Sequence, residues 1–374
     1  MRVLVTGGAG FIGSHLVDRL VAEGHDVIVL DNLDPQVHGS VRGRPAHLSA
    51  KAELVVGDVR DASVVARCTE GIDAVAHLAA AVGLAQSMYE IERFVDVNVR
   101  GTAVLLEAIT RDKAKTRVRR IAVASSMSLY GEGRCACPAC GDFSPALRPE
   151  AQLATRDFEI HCPRCGAIAT PVPTPESAPL VPTTVYAITK RDQEELVLAV
   201  GAAYGIGSVA LRLFNVYGPR QSLSNPYTGV AAIFSSRLVT GNVPLVFEDG
   251  LQTRDFTHVT DVAEAFVRAL TMPEAAGKVL NVGAGRPHTL LDLGALLGAE
   301  IGVEWRPEIT GSFRKGDIRH CTADTTLLER SLNFRPRVAF KDGVKDLVGW
   351  IRTQDPTDKV DAALAELSKR GLVS

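Results

Sequence analysis

Residues 2–32, "RVLVTGGAGFIGSHLVDRLVAEGHDVIVLDN", decide the fold. Arg2 to Thr6 is a short, β-branched apolar run that reads as a strand. Gly7, Gly8, Gly10 and Gly13 make the turn and open a helix whose apolar side runs Phe11, Ile12, Leu16, Leu20. A second strand, Val27 to Leu30, ends at Asp31. Strand, glycine turn, helix and strand ending in an acid is the context of a dinucleotide fingerprint, here with G-x-x-G-x-x-G spacing. Gly7 permits the tight turn, Gly10 lets a pyrophosphate approach the backbone, and Gly13 lets helix and strand pack closely. Free N–H groups at the helix start then face the phosphates. The Asp31 carboxylate can accept both ribose hydroxyls and repels a 2′-phosphate. Neither Asn32 nor Leu33 supplies a cation, so NAD is expected over NADP.

The alternation continues outward. "AELVVGDVRD" reads as a strand ending at Gly57, with Asp58 and Val59 placed to border an adenine. "DAVAHLAA" is another strand, after which Leu78, Ala79 and Ala80 let the chain pass close to a cofactor. A helix carrying Asn98 follows, then "RRIAVASSMSLYG". This order predicts an α/β fold with a doubly wound parallel sheet. Phe11, Ile12, Asn32 and Asn98 join the glycines and Asp31 as candidate cofactor-lining residues.

At 374 residues the chain is long enough for more than one core. Hydrophobic residues make up 46% and charged residues 22%, an ordinary globular balance. A net charge of -2 with scattered Lys and Arg excludes a nucleic-acid footprint. Apolar runs such as "DAVAHLAAAVGLA" are shorter than the roughly 18 residues a membrane span needs. "MRVLVTGG" lacks the long apolar run of a signal peptide, so a cytoplasmic protein with reduced thiols is expected.

Two stretches carry chemistry. "SSMSLYG" brings Ser125 and Ser126 to the end of a buried strand. "TTVYAITKRDQEELVLAV" is helical in pattern, with Tyr186 and Lys190 four residues apart on one face. An ammonium near a phenol favours the phenolate, a general base suited to a secondary alcohol. A serine hydroxyl can bond the same oxygen and help pass the proton.

With "TGGAGFIG", "HLAA", "SSMSLYG", "YAITK", "LRLFNVYGPR", "RDFTHVTDVAEA" and "NVGAG" in this order, the chain resembles the extended short-chain dehydrogenase/reductase family, specifically its NAD-dependent nucleotide-sugar epimerases. The likeness spans the chain except about residues 134–172. It implies bound NAD, a Ser/Tyr/Lys active site, and a nucleotide-diphosphate hexose held in a smaller C-terminal domain. By that resemblance Ser126, Tyr186 and Lys190 are catalytic, and Tyr186 and Lys190 also border the cofactor. Asn215 contacts substrate phosphate, Arg254 and Arg314 clamp the pyrophosphate, and Cys321 gates the sugar's C2 substituent. Bidentate binding of phosphate oxygens by a guanidinium also explains the clamp chemically. A homodimer through the apolar helix faces near 88–109 and 187–200 is expected.

The residues after Ser126 narrow the reaction. Family dehydratases carry an acidic pair there, decarboxylases a Glu in that pair, and 3,5-epimerising relatives a cysteine two places on; here stand Met127 and Ser128. Redox at a single carbon remains: epimerisation at C4 through a transient 4-keto sugar, with a nucleotide-sugar ketoreductase or dehydrogenase, or epimerisation at another carbon, as alternatives. The expected division is 1–133, 173–218 and 253–284 for NAD, with 219–252 and 285–374 for substrate.

Between them, 134–172 holds five of the seven cysteines. "CPACG" with Cys137 and Cys140, and "CPRCG" with Cys162 and Cys165, are two near-identical knuckles. Four thiolates on two such knuckles suit a tetrahedral structural zinc in a small ribbon. Disulfides conflict with the cytoplasmic expectation. An iron centre shares the spacing and stays open, as does ligation by the adjacent Cys135 or His161.

Overall fold

The computed structural model describes residues 1–111 and 116–373. Seven parallel strands form the main sheet, in the spatial order Lys278–Val282, Gly207–Leu213, Arg120–Ser126, Ala74–His77, Arg2–Thr6, Asp26–Asp31, Glu53–Val56. The first strand feeds outward to its second and third neighbours, then the chain crosses back to Ala74–His77. That reversal leaves a crevice at the carboxyl ends of Arg2–Thr6 and Ala74–His77, where open α/β sheets bind ligands.

Both faces of the sheet are covered, which is why its strands are mostly apolar, with buried polar exceptions that include Thr6, His77, Ser125, Ser126, Arg212 and Asn281. Val3, Val5, Val27 and Val29 pack with Leu16, Leu20, Phe266 and Leu270 on one side. Leu4, Ile28 and Leu30 face the other way, into Leu105, Ile109 and Val197. The period-2 alternation of a strand thus splits adjacent residues between two cores.

A second sheet joins Asn215–Tyr217, Thr253–His258, Pro287–Thr289 and His320–Cys321. Its core joins Tyr217 and Phe256 of these strands to Phe234, Leu293, Leu297, Val344 and Leu347 from the helices Val230–Val239, Leu290–Ile301 and Phe340–Ile351. The cysteine-rich segment forms a three-stranded antiparallel sheet with Arg134–Cys137 between Gly141–Phe143 and Thr170–Val172. Its own core is small: Cys135, Ile160, Ala169 and part of Phe143. No helix among the described residues is long and apolar enough to cross a membrane.

Candidate active site

The glycine turn is built for close approach. Gly7 has φ 68°, and a Cβ there would lie 2.8 Å from Ala79 N; a Cβ on Gly13 would lie 2.2 Å from Gly7 O. At Gly10 the nearest such neighbour is 3.4 Å away, so this backbone has an open side. Gly10 caps the helix Phe11–Ala22 with no side chain on its first N–H groups, which leaves donors for an anion. Asp31, almost fully buried, accepts the Ala9 N–H at 3.0 Å and the Leu33 N–H at 2.9 Å, fixing the loop and the carboxylate together. Asn32 donates to Asp58 at 3.2 Å, and Arg60 beside Asp58 holds that carboxyl down at about 2. Val59 packs under Gly101. These residues fit a dinucleotide.

Behind the crevice, the Leu78 and Ala79 N–H groups bond Thr6, and Asn98 takes both backbone groups of Ala81, accepting at 2.7 Å and donating at 3.1 Å. Asn98 also donates to Thr189 at 2.9 Å, and Thr189 to the Tyr186 carbonyl. Its helix widens to π geometry over Val95–Arg100, a distortion frequent at functional sites. Asn98 thus ties the Ala79–Ala81 turn to the helix that bears Tyr186.

The two serines part ways. Ser125 donates to Glu194 at 2.6 Å, within a buried pair of Glu194 with Arg212. Ser126 ends the strand and accepts from the Ser128 N–H at 3.2 Å and the Ser128 hydroxyl at 2.9 Å, and its hydroxyl favours the ionised form of the Tyr186 phenol. Tyr186 enters at the start of the helix Val185–Tyr204, capped by Thr184. Burial pushes its phenol up to about 12 while Ser126 pulls it back. Lys190, one turn on, is 3% exposed and its ammonium donates to Gln193 Oε1 at 2.6 Å. Burial lowers Lys190 to about 7, against the pull of Glu194.

The sequence leads one to expect the ammonium to lower the phenol. The structure instead turns it to Gln193, and burial governs the phenol. Gln193 in turn donates to Thr102 at 2.8 Å and lies 3.2 Å from His77 Nε2; His77 Nδ1 is 2.7 Å from Thr6. This network escaped sequence reading, although Gln193 stands one helical turn past Lys190 on the same face.

Among the substrate candidates, the Asn215 side-chain oxygen is buried without a hydrogen-bond partner. Arg254 donates to the carbonyls of Thr253, Ile318 and Arg319. Arg314 pairs with Asp317 and lies over Phe247, 4.9 Å from its ring centre. Cys321 is buried with Met127, Tyr130 and Phe214, beside Thr174. Asn215, Arg254 and Cys321 share the second sheet; Arg314 reaches it through the loop before His320.

The four knuckle sulfurs, Cys137, Cys140, Cys162 and Cys165, lie within 4.8 Å of one another, with Cys137 and Cys165 3.6 Å apart. Four sulfurs about 2.3 Å from a tetrahedral zinc stand roughly 3.8 Å apart. The knuckle glycines take left-handed backbone, Gly141 at φ 79° and Gly166 at φ 75°. Cys135 is instead in the small core, and His161 bonds Asp157 and the Gly166 carbonyl.

The seven-stranded parallel sheet with its glycine-turn crevice has the architecture of an NAD-binding enzyme. The profile described as "NAD dependent epimerase/dehydratase family" matches residues 3–146 and 165–283, and the chain belongs to that family. It is 37% identical to a dTDP-L-rhamnose 4-epimerase of Burkholderia thailandensis, over 94% of each chain. The UDP-glucose 4-epimerase of Thermotoga maritima, solved with UDP-glucose, superposes with a TM-score of 0.75 at 30% identity, over 94% of this chain and 99% of that one. The UDP-glucose 4-epimerase of Thermus thermophilus, solved with NAD, gives 0.73 at 29%, over 95% and 100%. The protein is an NAD-dependent epimerase-type enzyme, an isomerase acting on a nucleotide sugar.

Proposed function

We propose that the enzyme interconverts C4 epimers of a nucleotide-diphosphate hexose through a 4-keto sugar. The observation that carries this is the Ser126–Tyr186 pair followed by Met127 and Ser128, which offers a base for one hydroxyl and no acid–base pair for water loss. The 4-epimerase names of the relatives support the same carbon. Gly7, Gly10, Gly13 and Asp31 hold NAD, with Phe11, Ile12, Asn32, Asp58, Val59 and Leu78–Ala80 along the crevice. NAD held there would supply the hydride acceptor and donor. Tyr186 takes the C4 hydroxyl proton and later returns a proton to the opposite face. Ser126 bonds the same oxygen, and Lys190 orients the nicotinamide ribose. Asn215, Arg254 and Arg314 hold the diphosphate as a pivot while the keto ring turns.

Zinc on the four knuckle cysteines has a structural role, because four thiolates leave no open position. Exposed Ile91, Val95 and Ile188 support a homodimer through these helices. Incubation with UDP- and dTDP-hexoses, without added cofactor, tests the activity. Epimer interconversion is expected. Conversion only with added NADH makes the enzyme a ketoreductase, and a 4-keto-6-deoxy product makes it a dehydratase.

A further inference from the structure

The inserted segment meets the substrate side of the chain at a buried charge cluster. Arg148, in that segment, donates to Glu132 and to Glu248, each at 2.9 Å. Arg319 has no exposed surface. It donates to Glu248 at 2.9 Å, to Asp249 at 2.6 and 2.9 Å, and to Glu159 of the inserted segment at 2.5 Å. Glu132 also accepts the Arg319 backbone N–H at 2.5 Å. Beside the charges, Leu153 and Phe158 of the segment bury against Phe313. Guanidiniums out of water are tolerable only with carboxylate partners, and here Glu132, Glu159, Glu248 and Asp249 supply them, with the Arg319 Nε left unpaired.

The same backbone carries Arg254. Its guanidinium donates to the Ile318 carbonyl at 2.7 Å, the Arg319 carbonyl at 3.0 Å and the Thr253 carbonyl at 2.8 Å. Arg254 is also the register partner of Cys321 in the parallel pairing of these strands. Three of its N–H donors thus rest on a shelf that includes residues 318 and 319, leaving about two of a guanidinium's five for a ligand. The side chain of Arg319, in that shelf, is what the inserted segment grips.

We propose that Arg319 is a positioning residue for Arg254, and that Glu159, by holding Arg319, makes the inserted module set the enzyme's grip on its substrate's diphosphate. The proposal rests on the assignment of Arg254 to that diphosphate. Glu159 acts at a distance, through the shelf. Replacing it with Gln leaves Arg319 its bonds to Glu248 and Asp249 and puts a neutral amide oxygen where the carboxylate stood, so the joint persists with one of its charges removed.

The test uses the NAD-loaded enzyme and its Glu159→Gln, Arg254→Ala and doubly substituted forms. Each is titrated by calorimetry with whichever of UDP, dTDP, GDP and CDP binds the unmodified enzyme most tightly. Arg254→Ala is expected to weaken binding. Glu159→Gln is expected to weaken it roughly tenfold, within the range of coupled neighbours, with NAD content unchanged. The double form should bind no worse than Arg254→Ala alone. Arg319→Lys, which keeps the charge but not the fork, should reproduce the loss. If Glu159→Gln binds normally, or its loss adds in full to that of Arg254→Ala, the coupling is overturned while the clamp stands. If Arg254→Ala binds normally, or none of the four diphosphates binds, the clamp assignment itself falls.

Discussion

The Lys190 ammonium donates to the side-chain oxygen of Gln193 at 2.6 Å, and Gln193 is in turn held by Thr102 and His77. Thr6, at the end of the first strand of the fingerprint, bonds both His77 and the Ala79 N–H. One buried network therefore sets the lysine and the cofactor-side turn together. Its members are fully buried, so each unmade bond is costly.

Gln193→Leu fills the space but removes the acceptor. NAD retained per purified chain and turnover should both fall, turnover roughly tenfold, the scale of one hydrogen bond to a charged group. Nucleotide extraction and steady-state kinetics measure this. Full NAD occupancy with unchanged turnover would show that Lys190 is placed without Gln193.

Tyr186→Phe keeps the ring in contact with Phe94, whose edge-on centroid lies 6.4 Å away, but removes the proton acceptor. Turnover should drop by roughly two or more orders of magnitude, with NAD content unchanged. Ser126→Ala should cost less, since the phenol remains. Near-normal turnover of the phenylalanine form would sink the mechanism.

Asp31→Ala removes the acceptor of the Ala9 and Leu33 N–H groups as well as the carboxylate proposed for the ribose. The cofactor loop should loosen and NAD should be lost on purification. NADP should not replace it, because Asn32 and Leu33 bring no cation. Nucleotide analysis of denatured enzyme decides; NADP recovered from the unmodified protein would reverse the reading of Asp31.

The parts legible in the sequence are those written in local spacing. The glycine turn, the one-face placement of Tyr186 and Lys190 and the twin knuckles each lie within one or two elements, where period and loop geometry dictate position; what the Lys190 ammonium bonds to they do not dictate. Gln193 lay within reach of the same logic, yet its partners His77 and Thr102 stand 116 and 91 residues away. The Arg319 joint is less legible still, since Glu132 is 187 residues from it. Nothing in "RKGDIRHC" distinguishes a buried arginine from a solvated one; only the folded partners do. The phenol's environment also depends on burial, which a helical spacing does not disclose.

Burial also gives Lys190 a signature in pH. Its ammonium loses its proton near 7 in the folded enzyme and near 10.5 when unfolded. Between those values the unfolded chain binds a proton that the folded one lacks, so stability should rise with pH across that window. Below about pH 7 both forms are charged and the contribution is flat. Lys190→Met lacks the titrating group, so the difference between the two Tm profiles of NAD-stripped protein isolates it. Parallel profiles from pH 7 to 10 would mean that Lys190 titrates normally.

The segment that carries the four-cysteine cluster should fail locally. Elemental analysis should find about one zinc per chain, as a closed four-thiolate site requires. Cys165 is the exposed one of the four knuckle cysteines, so Cys165→Ser should lose the metal with little disturbance to packing elsewhere. The knuckles have only the small Cys135, Ile160 and Ala169 core beneath them, too little to order them unaided. The base of the module, by contrast, is held by Arg148, Glu159 and the Leu153–Phe158–Phe313 contact, none of which involves sulfur. Protease nicking should therefore appear first between residues 138 and 168, while NAD stays bound to the main sheet. Iron in the unmodified protein would replace zinc in this account. Loss of NAD at the same chelator concentration that releases the metal would show that module and sheet unfold as one unit.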